Sequence, residues 1–146
     1  MANSDRMKPE ARWEVSGYRT LTADRLDAMA RRRQGLGESF RRLFETFDVL
    51  VLPTAQVFPF PAELHWPQEV AGRPMDTYHR WMEVTAPATL AGLPVLAVPV
   101  PTRGLPVGLQ VLGPEGSEPL LLDVAAGWQQ ETAGAPGTAL CSTSTG

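Results

Sequence analysis

The sequence predicts an α/β protein built on a mixed sheet, and three observations carry that prediction. Val49-Leu50-Val51-Leu52 and Val95-Leu96-Ala97-Val98 are uninterrupted apolar runs stopped by Pro53 and bracketed by Pro94 and Pro99. Such runs read as strands buried on both faces. Val107, Leu109 and Val111 share one face of a third strand over 107–112. Residues 99–106 are too few for a parallel crossover, so 95–98 and 107–112 should be antiparallel neighbours. Finally, apolar residues at helical spacing precede, separate and follow these strands.

The elements follow in order. Residues 1–20 are polar and read as an irregular N-terminal segment, with Trp13, Val15 and Tyr18 in a short extended stretch. A helix begins after Thr22, whose hydroxyl suits an N-cap, with Asp24 in the positive first turn. Leu21 and Leu26 stand at the positions of a hydrophobic staple. Leu26, Met29, Leu36, Phe40, Leu43, Phe44 and Phe47 then follow an approximate 3.6-residue period and predict a core-facing stripe. Gly35 and Gly37 interrupt it, so one bent helix or two successive helices both fit.

After the first strand, residues 53–76 form a long connection rich in proline that also carries Phe58, Phe60, Leu64 and Trp66. A connection of that length in a folded domain is expected to be an ordered, functional loop. A helix starts near Asp76 or Thr77, ends around Thr85-Ala86-Pro87, restarts, and stops at Gly92. Pro94 and Pro99 close the ends of the second strand, since a strand interior does not accept proline. Gly108 leaves room beside the third strand. Ser117 is the expected cap of a last helix, whose Leu121, Val124, Ala125 and Trp128 form its core stripe. Residues 132–146 are small, polar and unpatterned, and predict a disordered tail. The folded unit is therefore expected over 21–131.

Composition narrows the function. The chain has 146 residues, 43% hydrophobic and 20% charged, which is globular composition for about one domain. Gly 13 and Pro 14 are well above ordinary usage and predict many loops. Of 13 basic residues all but Lys8 are Arg, and no Ile occurs; the bias suggests a GC-rich bacterial gene. The net charge of -3 argues against a nucleic-acid module, because phosphate binding draws on a basic surface. Cys141 is alone, so a reducing, cytoplasmic setting is expected. No apolar run approaches the length of a membrane span, and the first residues lack a signal-peptide core.

Little familiar chemistry is present. Gly35-Leu36-Gly37 lacks the third glycine and preceding strand of a dinucleotide loop. His65 and His79 have no zinc-like spacing to other ligands. Cys141 has no neighbouring base, and Lys8 no serine network. Arg31-Arg32-Arg33 and Arg41-Arg42 are nearly balanced by acids on the same helix and read as a solvated face. Phe58, Phe60, Trp66, Tyr78 and Trp81 are the group of interest. Core packing is the plainer role for them, and the wall of a substrate pocket is the functional one, because pocket walls often come from loops on a rigid scaffold.

Three segments in order carry a resemblance. They are 47–54 (FDVLVLPT), 85–94 (TAPATLAGLP) and 104–113 (GLPVGLQVLG). Together they resemble the C-terminal part of the amidase signature family, with the likeness running from about Lys8 to Gln130. The resemblance implies a large mixed sheet covered by helices, and enzymes that hydrolyse carboxylic amides or transfer the released ammonia. It also implies a catalytic set of a serine nucleophile, a bridging serine and a lysine, beside a Gly/Ser-rich oxyanion loop. No Gly-Gly-Ser-Ser-type loop occurs in these 146 residues and Lys8 matches no such position, so no catalytic, cofactor-binding or metal-ligating residue carries over. Residues 99–103 are shorter than the family's usual turn, and the tail beyond Gln130 has no counterpart.

The expected function is therefore that of a C-terminal part of an amide-hydrolysing enzyme, inactive by itself. The alternatives are a subunit of a split amidase or ammonia-transferring amidotransferase, completed by a chain carrying the catalytic set, and a non-catalytic interaction module.

Overall fold

The computed structural model describes residues 6–135. Its first helix, α1 (Pro9–Gly17), is followed by a 3-10 turn at Tyr18–Thr20 and by α2 (Ala23–Phe44). Strand β1 (Leu50–Pro53) leads into the long loop, which contains a two-residue hairpin, β2 (Glu69–Val70) and β3 (Arg73–Pro74). A 3-10 helix (Arg80–Thr85) runs into α3 (Ala86–Ala91), then β4 (Val95–Val100), β5 (Val107–Leu112) and α4 (Glu118–Thr132).

The main sheet has the order β1-β5-β4, with both pairings antiparallel. The expected neighbours 95–98 and 107–112 do pair, with Leu96 opposite Val111 and Val98 opposite Leu109. The central strand β5 is the most protected, with Gln110, Val111 and Leu112 all buried. One face of the sheet is covered by α4, where Leu121 and Ala125 meet Val98 and Val111. Trp128 completes that stripe and donates from its indole Nε1 to the Pro99 carbonyl at 2.7 Å. This is the core stripe expected of the last helix.

The edge strands depart from two-sided burial. Val51 in β1 is 48% exposed and Val95 in β4 is 42% exposed. Their apolar character exceeds what the described helices cover, because α4 packs chiefly against β4. Strand β4 also runs through Pro99, where the sequence predicts its end. It pairs only with β5, so a residue without an N–H costs no ladder bond on the open side.

The sequence predicts an irregular segment over 1–20, yet residues 9–17 are helical. Pro9 stands in the first turn, where its missing N–H is no loss. The helix buries none of its residues, and its periodicity is weak, so no amphipathic pattern announces it. It is held from outside by Glu10 against His65 and Glu14 against His79.

Helix α2 is continuous across Gly35 and Gly37. Thr22 is its N-cap and accepts from the Arg25 N–H, as expected. Its stripe is only partly used. Leu36, Phe40, Leu43 and Phe44 are half-buried, whereas Leu26, Met29 and Phe47 are exposed. Only part of the helix has something to pack on, chiefly α3, to which Arg33 Nε also donates at the Leu90 carbonyl (2.7 Å). On the opposite side Arg41 pairs with Glu38 at 2.8 Å and with Glu45, the solvated face that the charge balance predicts.

Helix α3 stops at Gly92, which takes the left-handed conformation (φ 73°). The N–H groups of Gly92 and Leu93 return to Thr89 and Ala88, closing the last turn. Ser117 precedes α4 but makes no side-chain cap; its hydroxyl is buried without a partner in the described residues. Helix α4 extends to Thr132, one residue into the stretch expected to be a tail, and a turn follows to Ala135. Cys141 and the rest of that tail lie outside the described residues. Among the described residues no helix is long and apolar enough to cross a membrane.

Candidate functional site

The site is assembled where β1 leaves the sheet. Pro53 ends β1 opposite Leu109, and Pro99 in β4 lies opposite Gly108. Gly108 thus stands between two edge strands, and a Cβ there would meet the Val98 carbonyl at 3.0 Å and Thr54 at 3.2 Å. The room that Gly108 leaves is taken by Thr54. Its N–H and its Oγ1 both donate to the Gly108 carbonyl at 3.0 Å, pinning the start of the long loop to the central strand.

Two glutamines then fasten the 3-10 helix over this corner. Gln110, 4% exposed in the middle of β5, donates from Nε2 to the carbonyls of Pro53 (2.9 Å) and Val84 (3.0 Å). Gln56 donates to the Arg80 carbonyl at 3.0 Å and accepts from the Val84 N–H at 3.1 Å. Backbone groups of β1 and the 3-10 helix are thereby satisfied by two side-chain amides, one from β5 and one from the loop. A buried polar group left without such partners is costly, so these contacts fix the relative position of these segments. Neither glutamine is among the residues that the sequence singles out. The available signal for Gln110 is a polar residue inside an otherwise apolar strand.

Of the five aromatic residues singled out, four form one chain of ring contacts. Phe60 meets Trp81 edge-to-face with centroids 5.6 Å apart. Trp81 meets Tyr78 at 6.0 Å, and Tyr78 meets Trp66 at 5.8 Å and 88°. Phe58 stands apart at the rim, 81% exposed. The rings divide between two openings. Phe58, Phe60 and Trp81 line a cleft of about 550 Å³ with Thr54, Gln56 and Gly108. Trp66 and Tyr78 line a smaller cavity of about 280 Å³ against α1. Trp66 and Trp81 each bury an indole N–H that finds no acceptor among the described residues.

The larger cleft has no Ser, Cys, His, Lys, Asp or Glu among its described lining residues. It can enclose an apolar group and offer Thr54, Gln56 and backbone polar groups at one end. Its one hydroxyl among the described lining residues, that of Thr54, donates to the Gly108 carbonyl, and no general base lines the cleft to activate it, as amide cleavage by acyl transfer needs. Among the described residues no group of three or more metal-binding side chains converges. The histidines instead serve α1. His65 meets Glu10, whose carboxyl is held below its ordinary value, first by its own backbone N–H and next by His65.

A three-stranded sheet thus carries one helix on its face and leaves apolar residues of its edge strands exposed, and comparison with known proteins gives the family. The family model described as Amidase matches residues 5–122, and the chain belongs to that family. Among its relatives, the A subunit of glutamyl-tRNA(Gln) amidotransferase from Synechococcus sp. (strain CC9311) is 40% identical over 120 residues, covering 78% of this chain and 23% of the relative. The protein of the same name from Archaeoglobus fulgidus is 45% identical over 85 residues, covering 58% of this chain and 17% of the relative. A bacterial aryl acylamidase of the amidase signature family superposes with a TM-score of 0.74 at 20% identity, over 84% of this chain and 26% of that one. A second amidase structure superposes at 0.69 with 27% identity, over 86% of this chain and 29% of that one. The chain spans about a quarter of the length of the curated relatives it matches.

Proposed function

We propose that this chain is the non-catalytic part of a split amide-cleaving enzyme or ammonia-transferring amidotransferase, completing the sheet and one wall of the substrate cleft. The single observation that carries the reading is the combination in one corner of an aromatic cleft and a described lining without acid–base side chains. On this reading the chain supplies scaffold and a partner chain supplies the chemistry. The relatives are named as one subunit of an amidotransferase, which favours a component of an assembly over an enzyme that works alone. This reading takes residues 21–131, which overlap the family match over 5–122, as a C-terminal part of the amidase scaffold, and Phe58, Phe60 and Trp81 as its pocket wall. Trp66 and Tyr78 support that wall from behind, Tyr78 through its contact with Trp81 and Trp66 through Tyr78.

The exposed apolar residues on the edge strands support the same reading. Val51 and Val95 sit where a larger sheet would continue, and uncovered strand edges invite pairing. The test is the native mass of the chain isolated from its own cells, with any bound chain identified and amide turnover measured. A complex with a chain carrying a Gly/Ser-rich catalytic loop, active only when both are present, is the expected result. A stable lone chain of about 15.9 kDa with no such partner would overturn it.

A further inference from the structure

The smaller cavity, between α1 and the long loop, has a chemistry of its own. Trp66 and Tyr78 stand 5.8 Å apart at 88°, so they form two walls at right angles. Trp13 of α1 closes a third side and is 60% exposed. Two carboxylates, Glu10 and Asp76, border the same space, and no Lys or Arg is among its described lining residues. Aromatic faces carry negative electrostatic potential and attract cations, most strongly when water is excluded and the charge is diffuse. Perpendicular aromatic walls with a nearby carboxylate are the arrangement that holds quaternary and alkylated ammonium groups.

We propose that this cavity binds a small alkylammonium ion, held by the faces of Trp13, Trp66 and Tyr78 and by the carboxylates of Glu10 and Asp76. The surrounding charges are compatible with that ligand. Glu10 pairs with His65, Glu14 with His79, and Asp76 with Arg80 at 2.6 Å, while Lys8 lies near Glu10. With the histidines neutral, three carboxylates face two cations. The two imidazoles lie at the border, His79 lining the cavity and His65 on the ring of Trp66 at 4.8 Å. The proposal is independent of the amidase reading, because none of these groups lines the larger cleft.

The test uses the full chain, with any chain that co-purifies, titrated with choline and with tetramethylammonium. The neutral isostere 3,3-dimethylbutanol is the control. Binding is followed by tryptophan fluorescence and by saturation-transfer NMR on the ligand methyl groups. Saturable binding of both cations, about tenfold or more tighter than the isostere, is expected. Trp13→Leu and Glu10→Gln should each weaken it about three- to tenfold. Trp13 is exposed on a helix that buries nothing, so its replacement leaves the core intact. Equal affinity for the isostere, binding unchanged in Trp13→Leu, or no saturation by either cation would each overturn the proposal.

Discussion

The side-chain amide of Gln110, buried in the central strand, donates to the carbonyl of Val84 at 3.0 Å across the sheet face. Through the same nitrogen it reaches the Pro53 carbonyl, so one side chain joins β5, the end of β1 and the 3-10 helix. Trp81 lies on that same short helix, so Gln110 helps to set its position. Gln110→Leu removes both donors and leaves two carbonyls unpaired, at about 1–3 kcal/mol for each group so stranded. A fall in the denaturant midpoint with an unchanged slope checks this, and the larger cleft should lose definition along with it.

Gly108 tests the corner from the other side. An added methyl would press on the Val98 carbonyl and on Thr54, and the carbonyl belongs to a paired strand that cannot retreat. Gly108→Ala is expected to destabilise by about 1–3 kcal/mol. Thr54→Ser combined with it should recover only part of the loss, because it removes the Thr54 Cγ2 and leaves the contacts with Thr54 Oγ1 and the Val98 carbonyl. Chemical denaturation of the double and single variants distinguishes these outcomes.

Phe58 separates cleft chemistry from folding. Its ring is 81% exposed, so Phe58→Ala should change stability by no more than about 0.5 kcal/mol. If the cleft receives substrate, the same variant raises KM of the assembled enzyme while its melting temperature stays put. An unaltered KM removes Phe58 from the wall.

Acid should release α1. The Glu10 carboxyl titrates below its ordinary value of 4.5, owing to its own backbone N–H and then to His65. A carboxyl depressed in the folded state contributes stability that is complete above the unfolded value and disappears as pH falls through the folded one. Hydrogen exchange in α1 should therefore rise as pH drops below 4.5, after correction for intrinsic rates. In Glu10→Gln that pH dependence should be lost. Persistence of the full effect in the variant would assign the acid sensitivity to another group.

Much of the scaffold is legible in the residues because it depends on local pattern. The pairing of 95–98 with 107–112 follows from a connection too short to cross over. The stop at Gly92 follows from glycine's access to the left-handed region, and the stripe Leu121, Val124, Ala125 and Trp128 from helical spacing. The aromatic group is visible as a cluster in and just after one long loop. Its division between two openings is not, because that depends on where the loop turns back, and Ala71 and Gly72 reverse it through positive φ values.

Residue order alone thus sets the succession of strands and helices, the family likeness and the lack of an acyl-transfer set in these residues. Those are properties of periodicity, turn chemistry and residue type, which act over a few positions. The helical state of α1 needs the folded chain, since its partners His65 and His79 lie more than fifty residues away. So does the extent to which each strand is covered, because burial depends on which helix packs where. The roles of Gln56 and Gln110 in holding the site also emerge only on folding. Their hydrogen bonds reach backbone groups 24 to 57 residues distant, and no local pattern encodes a partner at that separation.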